Sequence, residues 1–304
     1  MEMSSGFGRP RRVLMALAAI ASWAATIAYA ATVLGDRSYE IHLPNGRDPA
    51  QPAPLVLVFH GGGGDAANAA RMSGMDAKAD AEGFIVAYPN GTGLRPNAKL
   101  LTWNAWRCCG AALDNKVDDV GFVRALVEDI AKRHPVDRKR VHATGFSNGA
   151  MLAYRLGCEL GDVFAAIAPV AGALNDYNCG TGPKVSVVAF HGTADQHIRF
   201  EGGVPITAFD THKRADNSVQ FAIDTWRKRD GCSAQPARDK KGAVIHTAYA
   251  CADGTAVEVY AIEGQGHAWP GGQKGRRFGN VDEPSGEISA TDVIWEFFKT
   301  HSKK

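Results

Sequence analysis

The sequence predicts an α/β fold in which a mostly parallel central sheet carries helices on both faces. Three observations lead there. Short apolar runs that do not alternate with polar residues recur along the chain, the pattern of strands buried on both faces. Segments with helical spacing separate them, as crossovers between parallel strands require. Four of the runs end in glycine-bearing stretches that carry Ser, His or Asp, at the strand ends where open parallel sheets collect their functional groups.

The elements follow in chain order. PLVLVFH (Pro54–His60) and FIVAYP (Phe84–Pro89) read as buried strands, and the alanine-rich stretch from Asp65 to Ala81 between them reads as a helix. DDVGFVRALVEDIAKRH (Asp118–His134) sets Val120, Val123, Leu126, Val127 and Ile130 at helical spacing, behind Asp118 or Asp119 as the N-cap. VHATGF is the next strand and GAMLAYRLGCEL the helix after it. AAIAPVAG, VSVVAFHG and AVEVYAIEG are further strands, and Thr291 to Thr300 forms a closing helix. No Pro/Ser/Gly linker and no internal repeat interrupts the series, so residues 31–304 read as a single domain. Of the 304 residues, 45% are hydrophobic and 22% charged, the balance of a chain that buries a core.

The first thirty residues follow a different logic. Arg9, Arg11 and Arg12 precede the uncharged stretch Val13–Ala30, which ends in the small-x-small site Ala28-Tyr29-Ala30. Basic, apolar and small in that order is a secretory signal, and predicts an extracellular or periplasmic mature protein. An uncleaved anchor is the alternative, since a stretch of this length just spans a membrane. The Arg11-Arg12 pair matches the twin-arginine pattern only weakly. Residues 1–30 hold three arginines and one glutamate, so their removal takes the formal charge from +2 to 0. No basic stripe remains for nucleic acid. Clusters such as Arg138-Lys139-Arg140 and Arg227-Lys228-Arg229 read as solvated surface.

All six cysteines, Cys108, Cys109, Cys158, Cys179, Cys232 and Cys251, lie in the mature part. An even number in an exported chain implies disulfides. Cys232 and Cys251 flank the strand-like AVIHTAYA and form the expected pair. Cys108 and Cys109 are neighbours, which rarely bond each other, so each is expected to pair elsewhere.

The chemistry gathers at HGGGGD (His60–Asp65), GFSNG (Gly145–Gly149), HGTAD (His191–Asp195) and GQGHAWPGG (Gly264–Gly272). In GFSNG a serine lies between strand and helix, on a turn that lifts its hydroxyl above the sheet while the flanking glycines leave room to pack. A serine hydroxyl needs a base, a histidine oriented by a carboxylate. The chain order Ser, acid, His selects Ser147, Asp195 and His267. His197 competes as base and Asp176 as acid, but His197 lies close to Asp195 in sequence and faces the serine less readily. His191, Asp195 and His197 could alternatively be read as metal ligands, yet this strand-end pattern needs none and no metal is expected. Glycines let backbone amides approach a developing oxyanion, so Gly61 or Gly62 is expected to join the amide of Asn148 as donor. A phosphate loop would require a following GK[ST], which is missing from HGGGGD. Trp103, Trp106 and Trp269 stand near these motifs, either as an aromatic wall for substrate, Trp269 foremost, or as packing.

Taken together, HGGGGD, WNAWRCCG, VDDVGF, GFSNGAMLAYRL, IAPVAG, HGTAD and IEGQGHAWPGG resemble the exported esterases grouped with poly(3-hydroxybutyrate) depolymerases and feruloyl esterases. The resemblance runs from about Arg37 to Phe298. It implies an α/β-hydrolase fold and cofactor-free hydrolysis of carboxylic esters by Ser147, Asp195 and His267. The implied substrates are feruloylated or acetylated plant polysaccharide, or polyester. The larger polyester-degrading members carry an extra substrate-binding domain, whereas this chain ends soon after its last helix, so oligomers rather than solid polymer are expected. The expected state is a monomer whose partner is a small-molecule or polymer ester. A peptidase of the same fold, which usually brings a large extra domain, is one alternative. An acyltransferase and a non-catalytic binding protein are the others, although the latter would normally have lost a triad member.

Overall fold

The apolar runs become the centre of one ten-stranded sheet. The computed structural model describes residues 1–2, 31–95, 98–176, 179–206, 214–275 and 282–304. Residues 3–30, and with them almost all of the expected signal, lie outside the described residues. In chain order the elements are β1 (Thr32–Leu34), β2 (Arg37–His42), β3 (Ala53–Phe59), α1 (Ala66–Ser73), α2 (Met75–Glu82), β4 (Ile85–Pro89), α3 (Gly110–Asp114) and α4 (Asp119–Arg133). They continue with β5 (Val136–Phe146), α5 (Asn148–Glu159), β6 (Ala166–Val170), β7 (Ser186–Gly192), α6 (Val219–Asp230), β8 (Ala237–Lys241), β9 (Val244–Ala250), β10 (Ala256–Ile262) and α7 (Ala290–Thr300).

The strand order is β1-β2-β4-β3-β5-β6-β7-β10-β9-β8. β4, β3, β5, β6, β7 and β10 run parallel, and antiparallel pairs flank them at both edges. β3 is buried along its whole length. Its Leu55, Leu57 and Phe59 pack in the core that α4, α5 and α6 share. Its Val56 and Val58 pack with α1, α2 and α7. The two-residue period of a strand therefore feeds two cores, one on each face. This is the α/β architecture the apolar runs predict.

Several details differ from the sequence reading. The helix expected over 65–81 is broken in two by Gly74, whose φ of 63° is left-handed and ends α1. The capping choice at α4 resolves to Asp118, whose Oδ1 accepts from the Gly121 amide at 2.8 Å. Asp119 instead is buried, pairs with Arg37 at 2.9 Å and accepts from the Asn104 amide at 2.7 Å. Cys232 pairs with Cys251 as expected, and Cys158 with Cys179. The expectation for Cys108 and Cys109 is corrected: they are joined to each other, across a cis peptide. With the other four cysteines paired among themselves, each of these two has only its neighbour. No helix among the described residues is long and apolar enough to cross a membrane.

Candidate active site

β5 delivers the serine. It ends at Phe146, α5 starts at Asn148, and Ser147 between them has φ 56° and ψ −119°. A side-chain-bearing residue in such backbone is strained and persists only where its surroundings hold it. The Ser147 amide donates to the Val170 carbonyl at 3.0 Å, tying the turn to β6. The flanking glycines are needed for space. A Cβ on Gly145 would lie 2.6 Å from the Gly149 carbonyl, and one on Gly149 would overlap the Phe59 and His60 carbonyl oxygens. Ser147 itself remains half-buried at the crest of the turn.

The acid and the histidine come from the loops after β7 and β10. His267 Nδ1 lies 2.7 Å from Asp195 Oδ2, across a gap of 72 residues in sequence. Both side chains are buried. The other carboxylate oxygen, Oδ1, accepts from the amides of His197 at 2.8 Å and Ile198 at 2.9 Å. Burial pushes the Asp195 carboxyl up, but the charge and hydrogen bond of His267, with His191 and the Ile198 amide, outweigh it and hold the group below its ordinary value. The carboxylate therefore stays ionised and fixes the proton of His267 on Nδ1, leaving Nε2 as the acceptor. The His267 ring packs 4.6 Å from the ring of Phe146, the residue before the serine, and 4.8 Å from that of His197.

Two further residues support this pair, His191, weighed in the sequence only as a metal ligand, and Asp282. His191 Nε2 donates to the Ile198 carbonyl at 2.7 Å and lies 3.5 Å from Asp195 Oδ2. Burial lowers its pKa, so it remains neutral. Asp282 accepts from the His267 amide at 2.7 Å while its own amide donates to the His267 carbonyl at 3.0 Å. The HG pair at the end of β7 marks His191 in the sequence, whereas Asp282 sits in an irregular stretch that carries no signal.

The glycine loop after β3 lies against the serine turn. A Cβ on Gly61 would be 3.4 Å from Ser147 Cβ, and one on Gly62 would be 3.7 Å from Asn148 Cβ. Among the described residues, the amides of Gly61 and Gly62 make no hydrogen bond, and the Asn148 amide, in the first turn of α5, has no acceptor within its helix. The candidate donors thus lie on two segments that pack against each other at the serine turn, with the Asn148 amide at the positive end of a helix.

The tryptophans fare differently. Trp269 is 1% exposed, and its indole donates to Thr291 Oγ1 at 3.0 Å. Trp103 is 0% exposed and donates to the His60 carbonyl at 3.0 Å. Neither offers a face to a ligand, which corrects the aromatic wall expected of them; the packing alternative describes both. Trp106 is half-buried and donates to Glu159 at 3.1 Å. Asp176, the competing acid, is not among the groups bonded to His267. His197, the competing base, lies on the acid loop and stacks on His267 instead of replacing it. Among the described residues no group of three or more His, Cys, Asp or Glu is arranged to hold a metal ion. A cavity of about 690 Å³ opens beside this loop, lined by polar groups that include Gln196, His197, Asp282, Ser285 and Glu287.

A sequence model of the family described as Esterase PHB depolymerase matches residues 37–199. The chain is 32% identical over 283 residues to a putative esterase, NocK, of Nocardia uniformis subsp. tsuyamanensis, covering 86% of this chain and 78% of that one. It is 30% identical over 254 residues to feruloyl esterase B of Piromyces equi, covering 80% of this chain and 44% of that protein. The acetyl xylan esterase from Aspergillus awamori shares the fold, with a TM-score of 0.61 over 90% of this chain and 99% of that one at 15% identity. Matches of this extent settle the family: the chain belongs to the Esterase PHB depolymerase family and is a carboxylic ester hydrolase with an α/β-hydrolase fold.

Proposed function

We propose that this chain is an exported serine esterase that cleaves polysaccharide-linked feruloyl or acetyl esters, or 3-hydroxybutyrate-type oligomers, through an acyl-enzyme. The observation that carries the reading is the 2.7 Å bond between His267 Nδ1 and Asp195 Oδ2, with the His267 ring 4.6 Å from that of Phe146, which precedes the strained Ser147. In this reading Ser147 Oγ attacks the ester carbonyl carbon and passes its proton to His267 Nε2. The amides of Asn148 and of Gly61 or Gly62 hold the oxyanion, each donor contributing about 10²–10³ in rate. His267 returns the proton to the leaving alcohol, and a water activated by the same nitrogen releases the acid. The polar lining of the cavity at His197 supports a hydroxyl-rich alcohol portion over an apolar one. The disulfides Cys158–Cys179 and Cys232–Cys251 support an oxidising compartment, in keeping with export.

Product release is measured on methyl ferulate and on soluble hydroxybutyrate oligomers side by side, with Ser147→Ala as control. Loss of turnover on the order of 10⁶ in the variant is expected. A Ser147→Ala protein that keeps most of its activity would overturn the serine mechanism. Ferulate release without oligomer cleavage assigns the polysaccharide esters, and the converse assigns polyester oligomers.

A further inference from the structure

The proposed oxyanion donors belong to segments far apart in sequence, the glycine loop after β3 and the first residue of α5. One residue ties them together. The Trp103 amide donates to Asn148 Oδ1 at 2.7 Å, and Asn148 Nδ2 donates back to the Trp103 carbonyl at 3.0 Å. The Asn148 side chain is therefore engaged in this clasp, with Nδ2 also donating to Cys108 Sγ at 3.7 Å, which leaves its main-chain amide for an oxyanion. On the opposite side of Trp103, the indole Nε1–H donates to the His60 carbonyl at 3.0 Å.

That last bond has a directional consequence. In a trans peptide the N–H points opposite to the C=O. Drawing the His60 carbonyl toward Trp103 therefore turns the Gly61 N–H the other way. The next peptide is set by the same logic. His60 Nδ1–H donates to the Gly61 carbonyl at 2.8 Å, the Gly64 amide donates to it at 3.0 Å, and the Gly62 N–H is directed away from both. The His60 tautomer is defined, because Nε2 accepts from the Gly91 amide at 3.0 Å. Burial lowers the His60 pKa to about 4, so the ring stays neutral at working pH. The Trp103 ring is itself fixed, 5.3 Å from Phe59 in an edge-on contact and 4.8 Å from His60.

We propose that Trp103 is a positioning residue that aims the Asn148 and Gly61 amides at the developing oxyanion, an assignment that rests on the serine-esterase reading above. It touches neither substrate nor reacting atoms and acts through the two peptides it holds. Transition-state charge is stabilised only by donors already aimed at it, so releasing one tie lowers turnover while leaving ground-state binding in place.

The test is Trp103→Phe, which keeps an aromatic ring in the core while deleting the indole donor, with Asn148→Asp as a second variant that deletes the donor to the Trp103 carbonyl. kcat and KM on methyl ferulate, the inhibition constant of a boronic acid that mimics the tetrahedral intermediate, and the number of sites titrated by a phosphonate are measured for each. A kcat lowered on the order of 10- to 100-fold is expected, with KM unchanged and boronate binding weakened by a similar factor per titrated site. Wild-type kcat, a loss carried by KM, a loss explained by fewer titrated sites, or unweakened boronate binding would each overturn the assignment. If Ser147→Ala is inactive and Trp103→Phe behaves as wild type, the positioning role alone falls. If Ser147→Ala is active, the serine reading falls first.

Discussion

Replacing Asp195 with asparagine should disable the site by turning one imidazole proton around. Asp195 Oδ1 accepts from two main-chain amides, those of His197 and Ile198, at 2.8 and 2.9 Å. Both partners are donors, so the oxygen of an amide must occupy that position. Its NH₂ then faces His267 Nδ1, where Oδ2 now lies at 2.7 Å. The reverse orientation would aim the NH₂ at two donors, of which the Ile198 amide is buried, and leave the buried groups unpaired at about 1–3 kcal/mol each. With an NH₂ opposite it, Nδ1 must accept, and the ring carries its proton on Nε2. Ser147 then meets a donor where it requires an acceptor. The expected loss is about 10⁴ in kcat, equivalent to roughly 5 kcal/mol of transition-state stabilisation. Because the amide fits the same space, Tm should change little. kcat on methyl ferulate, Tm, and the nitrogen NMR signature of the His267 tautomer are the readouts. A variant within tenfold of wild type, or a His267 ring still protonated at Nδ1, would refute the reasoning.

Other expectations follow from the packing. In Gly145→Ala the new Cβ would lie 2.6 Å from the Gly149 carbonyl and 2.9 Å from the Phe59 oxygen, inside the 3.0 Å below which something must shift. Parting β5 from α5 displaces Ser147 and should lower kcat about 10- to 100-fold, and an unchanged kcat per titrated site would count against the elbow as the source of the geometry. His142 is fully buried against Phe298, with no hydrogen-bond partner for either ring nitrogen among the described residues. Burial, with His301 and Arg140, lowers its pKa from 6.5 to about 3, against a small opposing effect of Asp137. The unfolded chain takes up a proton below pH 6.5 that the folded protein refuses, so this group's contribution is intact above pH 6.5 and is lost as the pH falls toward 3. Between pH 7 and pH 5 the loss is about 2 kcal/mol. Urea unfolding of His142→Phe should show correspondingly weaker acid destabilisation than wild type, and parallel pH profiles would show that His142 does not carry it.

The buried strands were legible in the sequence because a parallel strand covered on both faces is apolar on both, as the runs PLVLVF and VVAF are. Of the antiparallel edges only AVIHTAYA, which holds β9, was legible. β8, ARDKK, is exposed throughout and is held by backbone pairing with β9 and by polar contacts of Asp239 and Lys240, so it has no apolar signature to read. β1 is the opposite edge strand, and it and its neighbour β2 are only partly buried. The serine turn was legible because its glycines answer a local steric demand, and the order Ser147, Asp195, His267 follows the order of strand ends in such a sheet. Trp103 and Trp269 show the opposite case. Their place beside reactive motifs suggested contact with substrate, but proximity along the chain does not specify which way a ring faces, and both are turned into the core.

By itself, then, the sequence determined which segments are buried, where the chain turns sharply, and which residue types are available at the strand ends, because burial period and turn sterics act within a few residues. Only the tertiary structure decided which oxygen of Asp195 meets His267, that Asp282 holds the histidine's backbone, and that Trp103 joins the glycine loop to α5. Each is a meeting of groups brought together by packing of distant elements, and no local propensity encodes the direction of a hydrogen bond across such a gap.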